Sequence, residues 1–243
     1  MDALPPFRRT ALFLDMDGTL IDLAATPDAV VVPPALPGTL ASLREKLDGA
    51  LAIVTGRPID TVDRLLGAAS LAVAGEHGGA LRRSADSAVE RPDLPTPPPA
   101  WLNAAEGLAR AHPGAIVEYK VRGLGIHFRL VPEAGPALLE GLQALIAQAP
   151  EFHIMPGLML WEVRPVGADK GGAVDALMQR APFAGRVPVF IGDDVTDEDG
   201  MRASRALGGS GYRVQDAFGT PEAVRDWLSR SAELGDWPKL PLS

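Results

Sequence analysis

Four short runs of apolar residues, each ending abruptly at polar residues or glycine, constrain the fold of this chain most strongly. They are Ala11 to Leu14, Ala50 to Val54, Leu71 to Ala74 and Val187 to Ile191. Strands that are apolar on both faces are typical of parallel sheets covered by helices on either side. We therefore predict a buried parallel strand in each run.

Helical spacing appears between these runs. One apolar stripe repeats at intervals of four, three and four residues and is followed by the stop signal Gly49; its members are Leu36, Leu40, Leu43 and Leu47. Near the end of the chain, Thr220 and Pro221 have the residue types of an N-cap and a first helical position. Strands that alternate with helices predict a doubly wound α/β sheet, whose ligands gather at the carboxyl ends of the strands.

Composition narrows the class of protein. Of the 243 residues, 47% are hydrophobic and 22% are charged, which predicts a packed core. The net charge of -8 argues against nucleic-acid binding, and the absence of cysteine excludes disulfides and thiolate metal sites. The first apolar run is too short for a signal peptide or a membrane span. We expect a cytoplasmic, soluble monomer with no nucleic-acid or membrane partner.

The middle of the chain has a different pattern. The proline-rich stretch "RPDLPTPPPA", residues 91–100, predicts a domain boundary or a stiff linker. Beyond it, "VEYKVRGLGIHFRL" and "LMLWEVRP" alternate between apolar and polar residues, which predicts a half-exposed antiparallel sheet. The expected apolar faces contain Val117, Tyr119, Val121, Leu124, Ile126, Phe128, Leu130, Met159, Trp161 and Val163, with Glu118, Lys120, Arg122, Glu162 and Arg164 opposite.

A helix between these two segments provides a cover for the apolar face. Its apolar side consists of Leu138, Leu142, Leu145 and Ile146. We therefore predict a small α/β cap at residues 82–163, inserted in a larger lobe formed by residues 1–81 and 164–243.

The stretch "FLDMDGTL" places Asp15 and Asp17 at the end of the first apolar run. Two carboxylates so close together repel each other, so a cation, an anionic substrate with its metal, or solvent must offset the charge. A calcium loop of the EF-hand type does not fit, because neither the glycine nor the terminal glutamate falls at its required position. Gly18 and Thr19 add donors that can face a phosphoryl group.

Three further motifs lie at strand ends or helix starts. Thr55 in "IVTGRP" offers a hydroxyl for a phosphoryl oxygen, and Lys170 in "GADKGG" lies at the start of a helix. "VFIGDDVTDEDG" places Asp193 and Asp194 after a buried strand, with more negative charge than a turn tolerates without a hard cation.

In this order, D-x-D-G-T, threonine, lysine and G-D-D resemble the motifs of haloacid dehalogenase (HAD) type phosphatases. The resemblance implies a doubly wound, Rossmann-like HAD core with an inserted α/β domain of the C2-type cap class. More narrowly, "AGEHGG", "VEYKVRGLGIHFR", "EVRPVGADKG" and "FIGDDVTDED" resemble trehalose-6-phosphate phosphatases along nearly the whole chain. The departures are Thr55, where many members have serine, and Phe128, where tyrosine is common.

The resemblance implies roles for the core residues. Asp15 would be the nucleophile that forms an aspartyl phosphate, and Asp17 the general acid and base. Mg²⁺ would be held by Asp15, the backbone carbonyl of Asp17 and Asp193. Either Asp194 or Asp197 would add a further ligand or support those that bind the ion. Thr55 and Lys170 would hold phosphoryl oxygens.

The resemblance also implies a sugar-binding set in the cap. Glu118, Lys120 and Glu162 match positions that bind glucose hydroxyls in the family, as carboxylates that accept and an ammonium that donates hydrogen bonds. Weaker candidates for substrate contact are Arg57, Arg129, Glu76, His77, Arg122 and His127.

The expected activity is Mg²⁺-dependent hydrolysis of trehalose 6-phosphate, a small-molecule substrate. Three alternatives stay open at this point. The first is a phosphatase of another sugar phosphate, such as sucrose phosphate or mannosylphosphoglycerate. The others are a sensor that binds a sugar phosphate without turnover, and a phosphomutase.

Overall fold

The protein divides into two compact units. The computed structural model describes residues 4–24, 29–120 and 122–242. The first unit comprises Met1–Pro92 and Asp169–Ser243, and the second comprises Asp93–Ala168.

Ten strands and eight α-helices are present in the described residues. In chain order they are β1 Thr10–Leu14, α1 Leu36–Lys46, β2 Leu51–Val54, α2 Ile59–Leu66, β3 Ala72–Gly75, β4 Ala80–Arg82, α3 Pro99–Ala111, β5 Ile116–Lys120, β6 Gly123–His127, α4 Gly135–Ile146, β7 Phe152–Gly157, β8 Leu160–Pro165, α5 Lys170–Met178, β9 Val187–Gly192, α6 Asp197–Ala206, β10 Ser210–Arg213, α7 Val214–Ala217 and α8 Pro221–Leu234.

The first unit is built on a six-stranded sheet with the order β10-β9-β1-β2-β3-β4. All neighbouring strands run parallel except β3 and β4, which are antiparallel. β1 lies inside the sheet, where Leu12 pairs with Leu51 of β2 and with Val189 of β9. All five residues of β1 are buried, as the apolar run Ala11 to Leu14 predicts for the last four of them. The predicted doubly wound α/β core is confirmed.

Helices cover both faces of this sheet. Leu12 and Leu14 pack in one apolar cluster that includes buried residues of α1 and α8. Phe13, which points to the other face, packs in a second cluster with residues of α5 and α6. The leucine stripe predicted for α1 is confirmed, since its four members are buried in the first cluster. Both faces of β1 are thus packed against apolar side chains, and the acidic residues Asp15 and Asp17 follow the end of the strand.

The second unit is a four-stranded antiparallel sheet with the order β5-β6-β8-β7. One face is covered by α3 and α4 and contains Leu124, Ile126 and Val163, all fully buried. The predicted cover helix is confirmed as α4, with Leu138 and Leu142 buried in the same cluster.

The alternation pattern was wrong in detail at several positions. Leu130 is 76% exposed, because β6 ends at His127 and the side chain no longer follows the sheet. Glu162 and Arg164 are buried, because β8 lies between β6 and β7 and their side chains pair within the sheet face. Tyr119 is exposed on the edge strand β5, and Met159 precedes β8. Val121 lies outside the described residues.

The proline-rich stretch contains the start of a helix that the sequence pattern did not predict. α3 begins at Pro99. The N–H groups of the first helical turn have no partner within the helix, so a proline, which lacks an N–H, is tolerated there.

Both junctions between the units lie further along the chain than the boundaries expected from the sequence. β4 pairs with β3, and Leu81 and Glu90 exchange two backbone hydrogen bonds of 2.8 and 2.7 Å. These contacts tie the chain as far as residue 92 to the first unit. At the other junction, the Val166 amide donates to the Glu151 carbonyl of the second unit.

Among the described residues, no helix combines the length and the apolar character that crossing a membrane requires.

The N-cap of α8 gives a direct test of how the sequence sets this fold. The Thr220 hydroxyl accepts a hydrogen bond from the Ala223 amide at 3.2 Å, and Pro221 follows it at the first helical position. Replacing Thr220 with alanine leaves this amide without its partner, so we expect the free energy of unfolding to fall by about 1 kcal/mol. Urea unfolding followed by circular dichroism measures the change.

Thr220→Ser keeps the hydroxyl and serves as the matched control, with stability close to that of the unchanged protein. Equal stability of the alanine and serine variants would contradict the assigned cap.

Candidate active site

The candidate site lies where β1 ends. Asp15 directly follows β1, and its amide donates a hydrogen bond to the carbonyl of Ile191 in the neighbouring β9 at 2.9 Å. The carboxyl ends of parallel strands meet at one edge of a sheet, so Asp15 is brought beside the groups that follow β9. It is only 4% exposed. A buried carboxylate requires partners nearby.

Lys170 is the main partner of Asp15. It is the first residue of α5, which is capped by Asp169 through a 2.8 Å hydrogen bond from the Gly172 amide. The Lys170 ammonium donates to Asp15 Oδ1 and to Asp197 Oδ1, both at 2.5 Å, and all three side chains are buried. One cation is therefore shared between two carboxylates.

The pKa values of Lys170 and Asp15 both lie above their ordinary values, although the contact between the two groups raises one and lowers the other. Burial alone would lower the pKa of Lys170, but the charges of Asp15 and Asp197 outweigh it and raise that pKa above its ordinary value. Burial, followed by the charge of Asp197, raises the pKa of Asp15 well above its ordinary value, although Lys170 opposes the shift. The lysine remains charged at neutral pH, and burial opposes the ionisation of Asp15.

Asp197 organises the acidic loop. It is fully buried at the start of α6, and its second oxygen accepts the backbone amides of Asp193 and Asp194 at 3.0 and 2.9 Å. Together with Lys170, these donors engage both oxygens of the carboxylate. Asp197 thus connects two parts of the site. It holds the loop that contains Asp193, and it also binds the Lys170 ammonium, which contacts Asp15.

Asp193 lies between this loop and the turn that follows β1. One of its oxygens accepts a hydrogen bond from the Thr19 hydroxyl at 3.4 Å. Gly18 has a φ of +76°, and a Cβ atom at Gly18 would lie 2.1 Å from Asp193 Oδ2, so no larger residue fits this turn. Burial, then the charges of Asp197 and Asp194, raise the pKa of Asp193 to about 6.

These residues form a group that could hold a metal ion. Carboxylate oxygens of Asp15, Asp193 and Asp197 lie within 4.8 Å of one another. Asp15 and Asp197 share the ammonium of Lys170, and Asp193 adds a third acidic group beside them, so the acids outnumber the cation in this cluster. An all-oxygen group with this charge suits a hard divalent cation such as Mg²⁺.

Asp17 is separate from this cluster. Its two carboxylate oxygens accept hydrogen bonds from Nε and Nη2 of Arg57, at 2.6 and 2.7 Å. The side chain of Asp17 is 31% exposed, in contrast to the buried Asp15. A bidentate pair of this kind fixes the orientation of the carboxylate.

The other predicted core residues have different surroundings. Thr55 follows β2 and is buried, and its hydroxyl accepts a hydrogen bond from the Arg57 amide at 3.2 Å. Asp194 is exposed, and its carboxylate accepts the Val195 amide at 2.6 Å.

The second unit brings together the three residues expected to bind sugar. The Lys120 ammonium lies 3.4 Å from Glu118 Oε1 and 3.4 Å from Glu162 Oε1. Arg129 is exposed two residues after β6 ends.

Sequence reasoning left two features of the core site unrecognised. The pairing of Asp17 with Arg57 was not predicted, although "TGR" after β2 places an arginine at the same sheet edge as the D-x-D motif. The sequence pattern does not decide whether Asp197 is a metal ligand or supports the residues that bind the metal. Its position four residues after Asp193, at the start of a helix, was the available signal.

Removing the shared cation tests this charge arrangement. Lys170→Met leaves Asp15 and Asp197 buried without their partner, so we expect the free energy of unfolding at pH 7.5 in EDTA to fall by about 3 kcal/mol or more. The pKa of Asp15 is already raised in the folded state, so the folded variant takes up a proton more readily than the unfolded chain. The loss of stability should therefore shrink at pH 5.5.

The exposed Lys46, at the end of α1, provides the matched control. Lys46→Met should change the stability by less than about 0.5 kcal/mol. A Lys170→Met variant as stable as the control variant at pH 7.5 would contradict the charge arrangement.

The chain is similar to known proteins along most of its length. The model of the trehalose-phosphatase family matches residues 13–221. A probable trehalose-phosphate phosphatase of Sinorhizobium fredii is 44% identical over 230 residues, covering 93% of this chain and 85% of the relative. The trehalose-6-phosphate phosphatase of Escherichia coli is 35% identical over 229 residues, covering 93% and 84%.

A solved structure shares the fold. The C-terminal domain of trehalose-6-phosphate phosphatase from C. albicans has a TM-score of 0.74 at 20% identity and covers 93% of each chain. The family match spans most of the chain, and the relatives are similar over nearly their whole length. The chain therefore belongs to the trehalose-phosphatase family of enzymes.

Proposed function

We propose that this protein hydrolyses trehalose 6-phosphate to trehalose and phosphate, with Mg²⁺ as cofactor and an aspartyl phosphate as intermediate. The observation that carries the proposal is the buried cluster at the end of β1, in which Lys170 is shared between Asp15 and Asp197 beside Asp193. A buried carboxylate held against an ammonium, next to an unbalanced acidic group, suits attack on a phosphate ester.

Asp15 is the proposed nucleophile. One of its carboxylate oxygens attacks phosphorus, and the ester bond between phosphorus and the sugar oxygen breaks. The lysine contact holds one oxygen of Asp15 in place and neutralises part of the charge that the phosphoryl group brings. Thr55, buried at the end of β2, provides a hydroxyl for a phosphoryl oxygen.

Asp17 is the proposed general acid and base. In its protonated form it gives its proton to the departing sugar oxygen, and trehalose leaves. It then takes a proton from the water that attacks phosphorus, which breaks the bond to Asp15 and releases inorganic phosphate. Both Asp17 oxygens accept hydrogen bonds from Arg57 in this structure, so one of these contacts must open before the acid can donate.

Mg²⁺ would be held by the carboxylates of Asp15 and Asp193, with the backbone carbonyl of Asp17 as a further ligand. When bound, the ion neutralises the charge of the phosphoryl group and of the carboxylates around it. Asp197 is assigned a supporting role, since both its oxygens already accept hydrogen bonds from Lys170 and the loop amides. The exposed Asp194 adds negative charge close to the site without a burial cost of its own.

The sugar would be recognised by Glu118, Lys120 and Glu162 of the second unit. The two carboxylates accept hydrogen bonds from hydroxyl groups and the ammonium donates them, which suits an uncharged disaccharide. Arg57 and Arg129 are proposed as secondary substrate contacts, the former through the phosphate end of the molecule.

One substitution tests the core of the proposal. Asp15→Asn removes the attacking oxygen, and we expect phosphate release from trehalose 6-phosphate to fall by at least about a thousandfold. The measurement is phosphate released with Mg²⁺ and with EDTA, and EDTA should abolish the activity of the unchanged protein.

Asp22→Asn is the matched control, because Asp22 is an exposed carboxylate that pairs only loosely, at 3.3 Å, with Arg225. It should keep full activity. Full activity of the Asp15→Asn variant would contradict the nucleophile assignment.

The same assay separates the rival substrates. Sucrose 6-phosphate, mannosylphosphoglycerate and p-nitrophenyl phosphate are tested beside trehalose 6-phosphate, which should have the highest kcat/KM. A higher kcat/KM for another sugar phosphate would move the assignment to that substrate, and binding without phosphate release would favour a sensor.

A further inference from the structure

We propose that His127 is a positioning residue that fixes the Glu118 carboxylate for recognition of the sugar hydroxyls. This inference rests on the proposed function, in which Glu118 binds the sugar. It assigns to His127 an action through Glu118 and no contact of its own with the reacting atoms.

The strand register places the two side chains on one face of the sheet. Ile116 pairs with His127 and Glu118 pairs with Gly125, so His127 lies diagonally across from Glu118 on the same face. The residue directly opposite Glu118 is a glycine, so no side chain from that position separates the two groups.

The contact is a direct hydrogen bond. His127 Nε2 lies 2.8 Å from Glu118 Oε2. This hydrogen bond is the largest cause that lowers the pKa of Glu118 below its ordinary value, so the carboxylate is ionised and only accepts hydrogen bonds at neutral pH. The imidazole Nε2 must therefore carry the proton, whether or not the ring is charged.

Glu118 is held from two sides. His127 donates to Oε2, and the Lys120 ammonium lies 3.4 Å from Oε1. Lys120 also reaches Glu162 at 3.4 Å, which links both carboxylates of the proposed sugar set. With a donor at each oxygen, the carboxylate cannot rotate freely. The lone pairs that these donors do not use therefore have a fixed orientation and can accept hydrogen bonds from a ligand.

Both side chains stay accessible to a ligand. The side chain of Glu118 is 43% exposed and that of His127 is 39% exposed. A carboxylate that is exposed yet fixed loses little conformational entropy when it binds hydroxyl groups, whereas a free glutamate must first be ordered. The effect of His127 should therefore appear in substrate affinity.

The test uses five variants, one of them a control, and two substrates. His127→Leu removes the donor, and we expect it to raise KM for trehalose 6-phosphate by roughly tenfold with little change in kcat. This pattern is expected because the lost binding energy is the same in the ground state and in the transition state. The loss with p-nitrophenyl phosphate, which has no sugar, should be much smaller. His127→Gln, whose amide nitrogen can reach about the position of Nε2, should restore most of the affinity.

Glu118→Ala and its combination with His127→Leu complete a double-mutant cycle. If His127 acts through Glu118, His127→Leu should change KM by less than about twofold once Glu118 is absent. Tyr119→Phe is the matched control, because Tyr119 on the same strand donates to Glu106 of α3, away from this network. It should leave both substrates unaffected.

Each contrary outcome has a definite meaning. If Glu118→Ala raises KM but His127→Leu does not, the positioning role is wrong while the sugar-binding role stands. A further rise of KM when His127→Leu is added to Glu118→Ala would show a direct contact with substrate and overturn the proposal. Failure of glutamine to restore affinity would exclude the hydrogen bond as the cause. If Glu118→Ala leaves KM unchanged, the sugar-binding role proposed for Glu118 falls, and the positioning role with it.

Discussion

The rest of the site depends on the contacts that the buried ammonium of Lys170 makes with two carboxylates. The ammonium contacts Asp15 and Asp197 at 2.5 Å each, and Asp197 in turn holds the amides of the loop that carries Asp193. The carboxylate of Asp15, a lysine and an acidic loop come from three parts of the chain and are thereby fixed to one another. Burial makes these contacts strong, and it also makes the surplus negative charge costly unless a further cation joins the group.

The fold explains how such distant residues meet. β1 lies between β2 and β9 in a parallel sheet, so Asp15, Thr55 and Asp193 leave the sheet at the same edge. Helices on both faces keep the strands dry, and the polar groups are confined to the strand ends. The second unit uses another arrangement, in which an antiparallel sheet buries one face under α3 and α4 and arranges ion pairs on the other.

The apolar runs sufficed to predict the core strands, because a strand buried on both faces leaves an unbroken pattern in the sequence. The start of α3 was not predicted, because the prolines that lead into it have the composition of a linker. Only the packing of the residues that follow shows that Pro99 is a first helical position. Sequence reasoning also missed the pairing of Asp17 with Arg57, 40 residues apart, because periodicity carries no information about which charged groups meet. Asp193 and Asp194 are adjacent in sequence, yet one is half-buried and the other exposed, a difference that only the loop conformation decides.

The most direct test of the account is a crystal structure of the protein with Mg²⁺ and beryllium fluoride, a mimic of the phosphoryl group. We expect beryllium bonded to a carboxylate oxygen of Asp15, the cation bound by Asp15 and Asp193, and Lys170 still in contact with Asp197. A cation bound away from Asp15 and Asp193, or beryllium fluoride attached elsewhere, would contradict it.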